Sequence, residues 1–129
     1  MTKADCPCGS GLALAECCAP CLDGDLLAPT AEALMRSRYT AYVLERFDYL
    51  RETWHPATRP ADLAPVPGLR WLGLSIKRVA GGGVDDATGE VEFVARSKQG
   101  GRASRLHETS SFERYGGRWV YTRGVQHTG

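Results

Sequence analysis

The sequence predicts an α+β protein: a small cysteine-rich N-terminal unit, then helices packed on one face of a curved antiparallel sheet. Three observations carry this. Four cysteines stand within the first eighteen residues, as Cys6-Pro-Cys8 and Cys17-Cys18. Two helix-forming stretches lie between Thr30 and Pro56. Four segments rich in β-branched and aromatic residues follow, separated by Gly81-Gly82-Gly83, Gly100-Gly101 and Gly116-Gly117. Helices followed by a run of hairpin-linked strands argue for an α+β domain rather than a parallel α/β one.

The cysteines come first in the chain and need the most explanation. Below about 40 residues a module has too little core to fold without a metal, disulfides or a partner. Two thiolate pairs supply the four tetrahedral ligands of a Zn²⁺ site at about 2.3 Å each. Gly9-Ser10-Gly11 lets the backbone turn after Cys8, and Leu12-Ala13-Leu14-Ala15-Glu16 has the propensity for a helical turn that presents Cys17 and Cys18 to the first pair. The competing reading is a disulfide framework. Met1 to Asp5 runs into the cysteines without an apolar leader segment, which predicts the reducing cytoplasm, where clustered cysteines serve as metal ligands. The expected ligands are Cys6, Cys8, Cys17 and Cys18, with Cys21 as the substitute for Cys18. Zn²⁺ is the expected ion and Fe²⁺ the alternative, since four thiolates suit both. Metal loss is expected to disorder the chain through about Cys21 and to leave the domain after Pro29 folded.

The stretch Ala19–Pro29 reads as a connection, punctuated by Pro20, Gly24 and Pro29 and solvated by Asp23 and Asp25. The boundaries are a metal knuckle at 1–21, a linker at 22–29 and a domain at 30–129. Thr30 reads as an N-cap with Glu32 in the first turn, so a helix runs from Ala31 to about Glu45. Asp48 is expected to cap a second helix through Trp54, which Pro56 stops. The strands are expected at Leu69–Val79, Gly89–Gln99, Arg102–Arg114 and Arg118–Val125. Gly81-Gly82-Gly83 follows a strand but leads into acidic Val84-Asp85-Asp86, with no helix N-terminus and no Gly-Lys-Ser. It reads as a hairpin turn, not a phosphate loop.

Composition excludes several classes. Of 129 residues, 43% are hydrophobic and 24% charged, ordinary values for a soluble domain, and no run approaches the roughly 18 apolar residues of a membrane span. A net charge of +1 gives no electrostatic case for nucleic acid.

A second constellation lies in the domain. On a helical wheel Ala31, Leu34, Met35, Arg38 and Tyr42 share one side, so Arg38 falls within the apolar stripe. Strand alternation puts Leu106, Glu108, Ser110 and Phe112 on the core side, drawing Glu108 inside with them. A buried carboxylate needs a partner. Arg38 is the first candidate and Arg36 the second. The pair reads as a buried ion pair docking helix to sheet, or as the polar end of a pocket with Tyr39 and Trp54 in its wall. His55 and His107 read as exposed or capping. No nucleophile and base stand at a recognisable spacing, so no catalytic residue is assigned.

The motifs also carry a resemblance. Cys-Pro-Cys-Gly-Ser-Gly followed by Cys-Cys resembles the SEC-C motif, the zinc module at the C-terminus of the SecA translocation ATPase and in many bacterial proteins. Pro29 to Tyr42, then Thr53-Trp54-His55-Pro56 and Leu106 to Phe112, are similar to the YchJ family of SEC-C proteins. The resemblance implies a knuckle joined to a conical α+β domain like that of nuclear transport factor 2 (NTF2). It also implies docking to a protein partner, in protein export, translation or quality control. In SecA the residues after Ser-Gly are basic, whereas Leu12 to Glu16 here contain no Lys or Arg. The alternative is a small-ligand-binding protein or acid/base enzyme of the conical fold, with its pocket around Arg38 and Glu108.

Overall fold

The computed structural model describes residues 5–127. The N-terminal unit opens as a short hairpin in which Asp5 bridges Ala13, closed by the Cys6 N–H donating to Leu12 O at 2.9 Å. A 3₁₀ turn at Leu14–Glu16 and a one-turn helix α1 (Ala19–Leu22) complete it. Part of the stretch read as linker is therefore helical. Pro20 at its first turn favours that start, and Leu22 is buried, so packing holds a turn that composition alone reads as loop.

Helix α2 (Ala31–Val43) begins where Thr30 accepts a hydrogen bond from the Ala33 N–H at 3.1 Å, the N-cap expected from sequence. It ends two residues before the expected Glu45, because Glu45 takes φ 59 and turns the chain. A side chain there is strained, so Glu45→Gly should raise stability by about 0.5–1 kcal/mol, measurable by urea denaturation. Helix α3 (Phe47–Glu52) corrects the expected Asp48 cap: Arg46 is the N-cap residue, without a side-chain cap bond, and Asp48 sits inside the first turn. The helix stops before Trp54 because residues 53–55 join the sheet. The Tyr121 N–H donates to Thr53 O, the His55 N–H donates to Tyr121 O, both at 2.8 Å, and Trp54 bridges Tyr121.

Strands β1 (Leu69–Gly81), β2 (Thr88–Gln99), β3 (Arg102–Tyr115) and β4 (Arg118–Gln126) form an antiparallel meander in chain order. Each lies within two residues of its sequence expectation. The inner face carries Val91, Phe93, Ala95, Phe112 and Trp119 beneath Leu34, Met35 and Tyr39 of α2. Gly82, at φ 75, lies where any Cβ would overlap Ala31, and its carbonyl accepts the Ala31 N–H at 2.9 Å. The glycine cluster is thus a turn that also anchors the start of α2.

Knuckle and domain share one core. Cys6, Cys8, Cys18 and Leu22 are buried in the same cluster as Ala31, Leu34 and Leu50. Arg36, considered from sequence as a partner for Glu108, reaches the knuckle instead and donates to Cys8 O at 2.9 Å while pairing with Glu32 at 3.0 Å.

Candidate metal centre and domain cavity

The knuckle turns bring Cys6, Cys8, Cys17 and Cys18 together, with all four sulfurs within 4.8 Å of one another. Cys8 Sγ lies 3.6 Å from Cys17 Sγ, and Cys17 Sγ lies 3.9 Å from Cys18 Sγ. Four sulfurs about 2.3 Å from a tetrahedral ion would stand about 3.8 Å apart, so the spacing fits a single metal ion. No disulfide links any of the five cysteines. Cys21, one turn further along α1, lies outside the cluster, and burial pushes its thiol pKa up.

The electrostatics fit a cation as well. Hydrogen bonding to Cys18 holds Cys8 down to about 4, against the burial that pushes it up, while Cys18 is raised by that same bond and by burial. The cluster thus concentrates a thiolate that thiol donors stabilise, the arrangement a soft cation replaces on binding. Around it, Ser10 Oγ lies 3.1 Å from Cys17 Sγ, and Cys6 Sγ lies 3.6 Å from Thr40 Oγ1 of α2. These contacts orient the sulfurs from outside the ligand set.

The second constellation lines a cavity of about 250 Å³ between α2 and the sheet, walled by Tyr39, Tyr42, Trp54, Trp71 and Tyr121 and reached by both Arg38 and Glu108. Arg38, 4% exposed, donates through Nη1 to Leu50 O at 2.9 Å and to Thr53 Oγ1 at 2.7 Å. Its guanidinium also lies 4.9 Å from the Trp54 ring centre and 4.8 Å from that of Tyr121. Burial pulls its pKa down, opposed by the nearby tyrosines and Glu108. Glu108 accepts from Ser110 Oγ at 2.8 Å and lies against the Gly124 backbone, where a Cβ would overlap its carboxylate. Arg38 and Glu108 share the cavity but form no direct ion pair, because the end of α3 supplies Arg38 with acceptors that sequence does not display. Gly124→Ala should eject the Glu108 carboxylate and cost about 1–3 kcal/mol, as overpacking does, by chemical denaturation.

Among the cavity walls the Trp54 Nε1–H is buried without a hydrogen-bond partner. Larger clefts of about 520 Å³ beside His55 and Glu113 and about 460 Å³ beside Leu63–Val66 contain no buried charged side chain. His55 pairs with Glu113 at 3.1 Å and packs on Tyr115. On the outer face, Glu92, His107 and His127 form a cluster that the sequence reading missed. Alternation had placed His107 there, but finding its neighbours requires the strand register.

The fold and the cysteine cluster define a class: a SEC-C unit, its cysteines placed compatibly with a metal ion, joined to an NTF2-like domain. Residues 4–20 match the SEC-C motif, and residues 30–124 match the family described as YchJ, middle NTF2-like domain. The chain belongs to the YchJ family, also designated UPF0225. A UPF0225 protein of Chromobacterium violaceum is 54% identical over 129 residues, covering 97% of this chain and 95% of the relative. One from Cupriavidus pinatubonensis is 58% identical over 113 residues, covering 88% and 78% respectively. The solution structure of a SEC-C motif protein from Rhodopseudomonas palustris superposes with a TM-score of 0.85 at 36% identity, covering 97% of this chain and 100% of that one. The crystal structure of a SEC-C motif protein from Psychrobacter arcticus superposes with a TM-score of 0.74 at 27% identity, covering 96% and 83%. No helix among the described residues is long and apolar enough to cross a membrane.

Proposed function

We propose that the protein is a cytoplasmic zinc-binding accessory protein whose knuckle, held by Cys6, Cys8, Cys17 and Cys18, docks a protein partner while the NTF2-like domain forms its body. The observation that carries the reading is the convergence of four thiols at the spacing of one tetrahedral ion. Leu12 on the knuckle and Leu26 and Leu27 after it are each exposed, apolar side chains that a protein partner could cover. The knuckle run lacks the Lys and Arg that an anionic lipid would need. Export, translation or quality control is the setting that the SEC-C resemblance implies.

Metal analysis of the protein purified from its own host tests the ligand assignment. One zinc per chain is expected; one iron would replace the ion but keep the site, and no metal would remove the reading. Docking is tested with metal-loaded protein: Leu12→Asp should abolish partner capture while leaving the metal content unchanged. Capture by the metal-stripped protein equal to that by the loaded one would assign docking to the domain instead.

A second reading is supported by the cavity, which brings a buried cation and a carboxylate together among aromatic walls. It is a small-ligand site, with Arg38, Glu108, Tyr39 and Trp54 orienting the ligand and Glu108 as the base if a reaction occurs there. A fragment with a donor for Glu108 should shift the Trp54 indole N–H signal in an NMR screen, since the Trp54 ring lines the cavity. Failure of a diverse fragment set to shift it would leave the cavity a structural feature.

A further inference from the structure

The outer face of the sheet carries a ligand set different in kind from the knuckle. Glu92 on β2 stands opposite Thr109 of β3, and His107 lies two residues before Thr109 on the same face. A bulge between Ser111 and Phe112 shifts the β3–β4 register by one residue, so His127, just beyond β4, lies opposite His107 and donates its backbone N–H to His107 O at 2.8 Å. Three strands thus deliver one carboxylate and two imidazoles to one spot. One ligand atom from each residue lies within 4.8 Å of the others.

We propose that Glu92, His107 and His127 form a second metal site, for one borderline divalent transition-metal ion of the Zn²⁺, Ni²⁺ or Cu²⁺ class. Two imidazoles and a carboxylate suit such ions, whereas Mg²⁺ and Ca²⁺ require all-oxygen shells. Existing contacts hold the side chains beside one another. His107 Nε2 lies 2.7 Å from Glu92 Oε2, sharing a proton that an ion bound by both atoms would displace. His127 Nε2 is 2.7 Å from Thr109 Oγ1, and Arg78 Nε stands 3.6 Å from the other Glu92 oxygen. The two rings stack with centroids 4.2 Å apart and planes 19° apart, so ligation of one ion by both requires the exposed His127 ring to turn.

The site is half-buried rather than enclosed: the Glu92 and His107 side chains retain 22% and 27% of their exposure, and His127 is exposed. Three protein ligands leave coordination positions open to solvent or to a partner's side chain. Unlike the thiolate knuckle, whose ion is enclosed by four ligands, this site would exchange its ion and tie the end of β4 to β3 when filled.

The test uses the full chain with its knuckle first loaded with one equivalent of Zn²⁺. A second equivalent should bind in calorimetry and shift the His107 and His127 ring nitrogens in long-range ¹H–¹⁵N spectra, leaving those of His55 in place, while Mg²⁺ shifts none. His127→Ala, His107→Ala and Glu92→Gln should each weaken the second equivalent at least about tenfold without reducing the first. His127 lies beyond the last strand, so its substitution reads binding without a folding defect. No second equivalent, or one undiminished by His127→Ala and His107→Ala, would overturn the proposal. If the knuckle holds no zinc, the ring nitrogens still report on this site independently.

Discussion

Cys8→Ser is expected to abolish binding of the knuckle metal and to unfold residues 5–22, read as loss of that equivalent by elemental analysis and loss of amide protection in that segment. The reason is the size of the unit. A hairpin, a 3₁₀ turn and one helical turn have no separate core, and in modules this small the metal's binding free energy is the folding free energy. The effect should spread further than the sequence implies. Cys6, Cys8, Cys18 and Leu22 pack into the same cluster as Ala31 and Leu34, so stripping them away exposes one side of α2. Side chains that lose burial forfeit about 1.5–3 kcal/mol when large and less when small, so the remaining domain should lose about 3–5 kcal/mol. Retention of the full metal content of the unsubstituted protein would refute the ligand assignment. Loss of metal with unchanged stability of the sheet would show that the domain after Pro29 folds independently of the knuckle.

The elements set by local chemistry were legible in the sequence. Thr30 caps α2 because a threonine oxygen before a helical run satisfies a free N–H, whatever the fold. The hairpin turns fall at Gly100-Gly101 and Gly116-Gly117 because paired glycines tolerate the left-handed backbone that tight turns need. Arg38 and Glu108 both reach the cavity between α2 and the sheet because helical and strand periodicity aim them there. What escaped depends on contacts distant in sequence. Asp48 failed as a cap because the Glu45 turn started α3 two residues earlier than a cap at Asp48 requires. The bulge at Ser111 has no glycine to mark it, yet it alone brings His127 opposite His107. Trp54 left the predicted helix because the edge of β4 offered its neighbours backbone partners.

Arg38 is where the difference between aim and partner has the largest measurable consequence. Periodicity turns its guanidinium inward, and the expectation was that Glu108 would neutralise it. In the structure the cation is held instead by a carbonyl and a hydroxyl at the end of α3 and by the faces of Trp54 and Tyr121. Arg38→Ala should therefore cost about 3–5 kcal/mol: the Leu50 carbonyl loses its donor, two rings lose their cation and a void opens between helix and sheet. Arg38→Met refills most of that volume and removes the cost of burying a charge, so it should lose only about 1–2 kcal/mol. Glu108→Ala should cost about 1 kcal/mol, because its hydrogen bond to Ser110 is replaceable and no cation depends on it directly. The double mutant Arg38→Ala with Glu108→Ala then separates the two pictures. Without direct contact the losses should add to within about 1 kcal/mol, whereas a coupling of about 3 kcal/mol in chemical denaturation would mean that the two charges pair in solution.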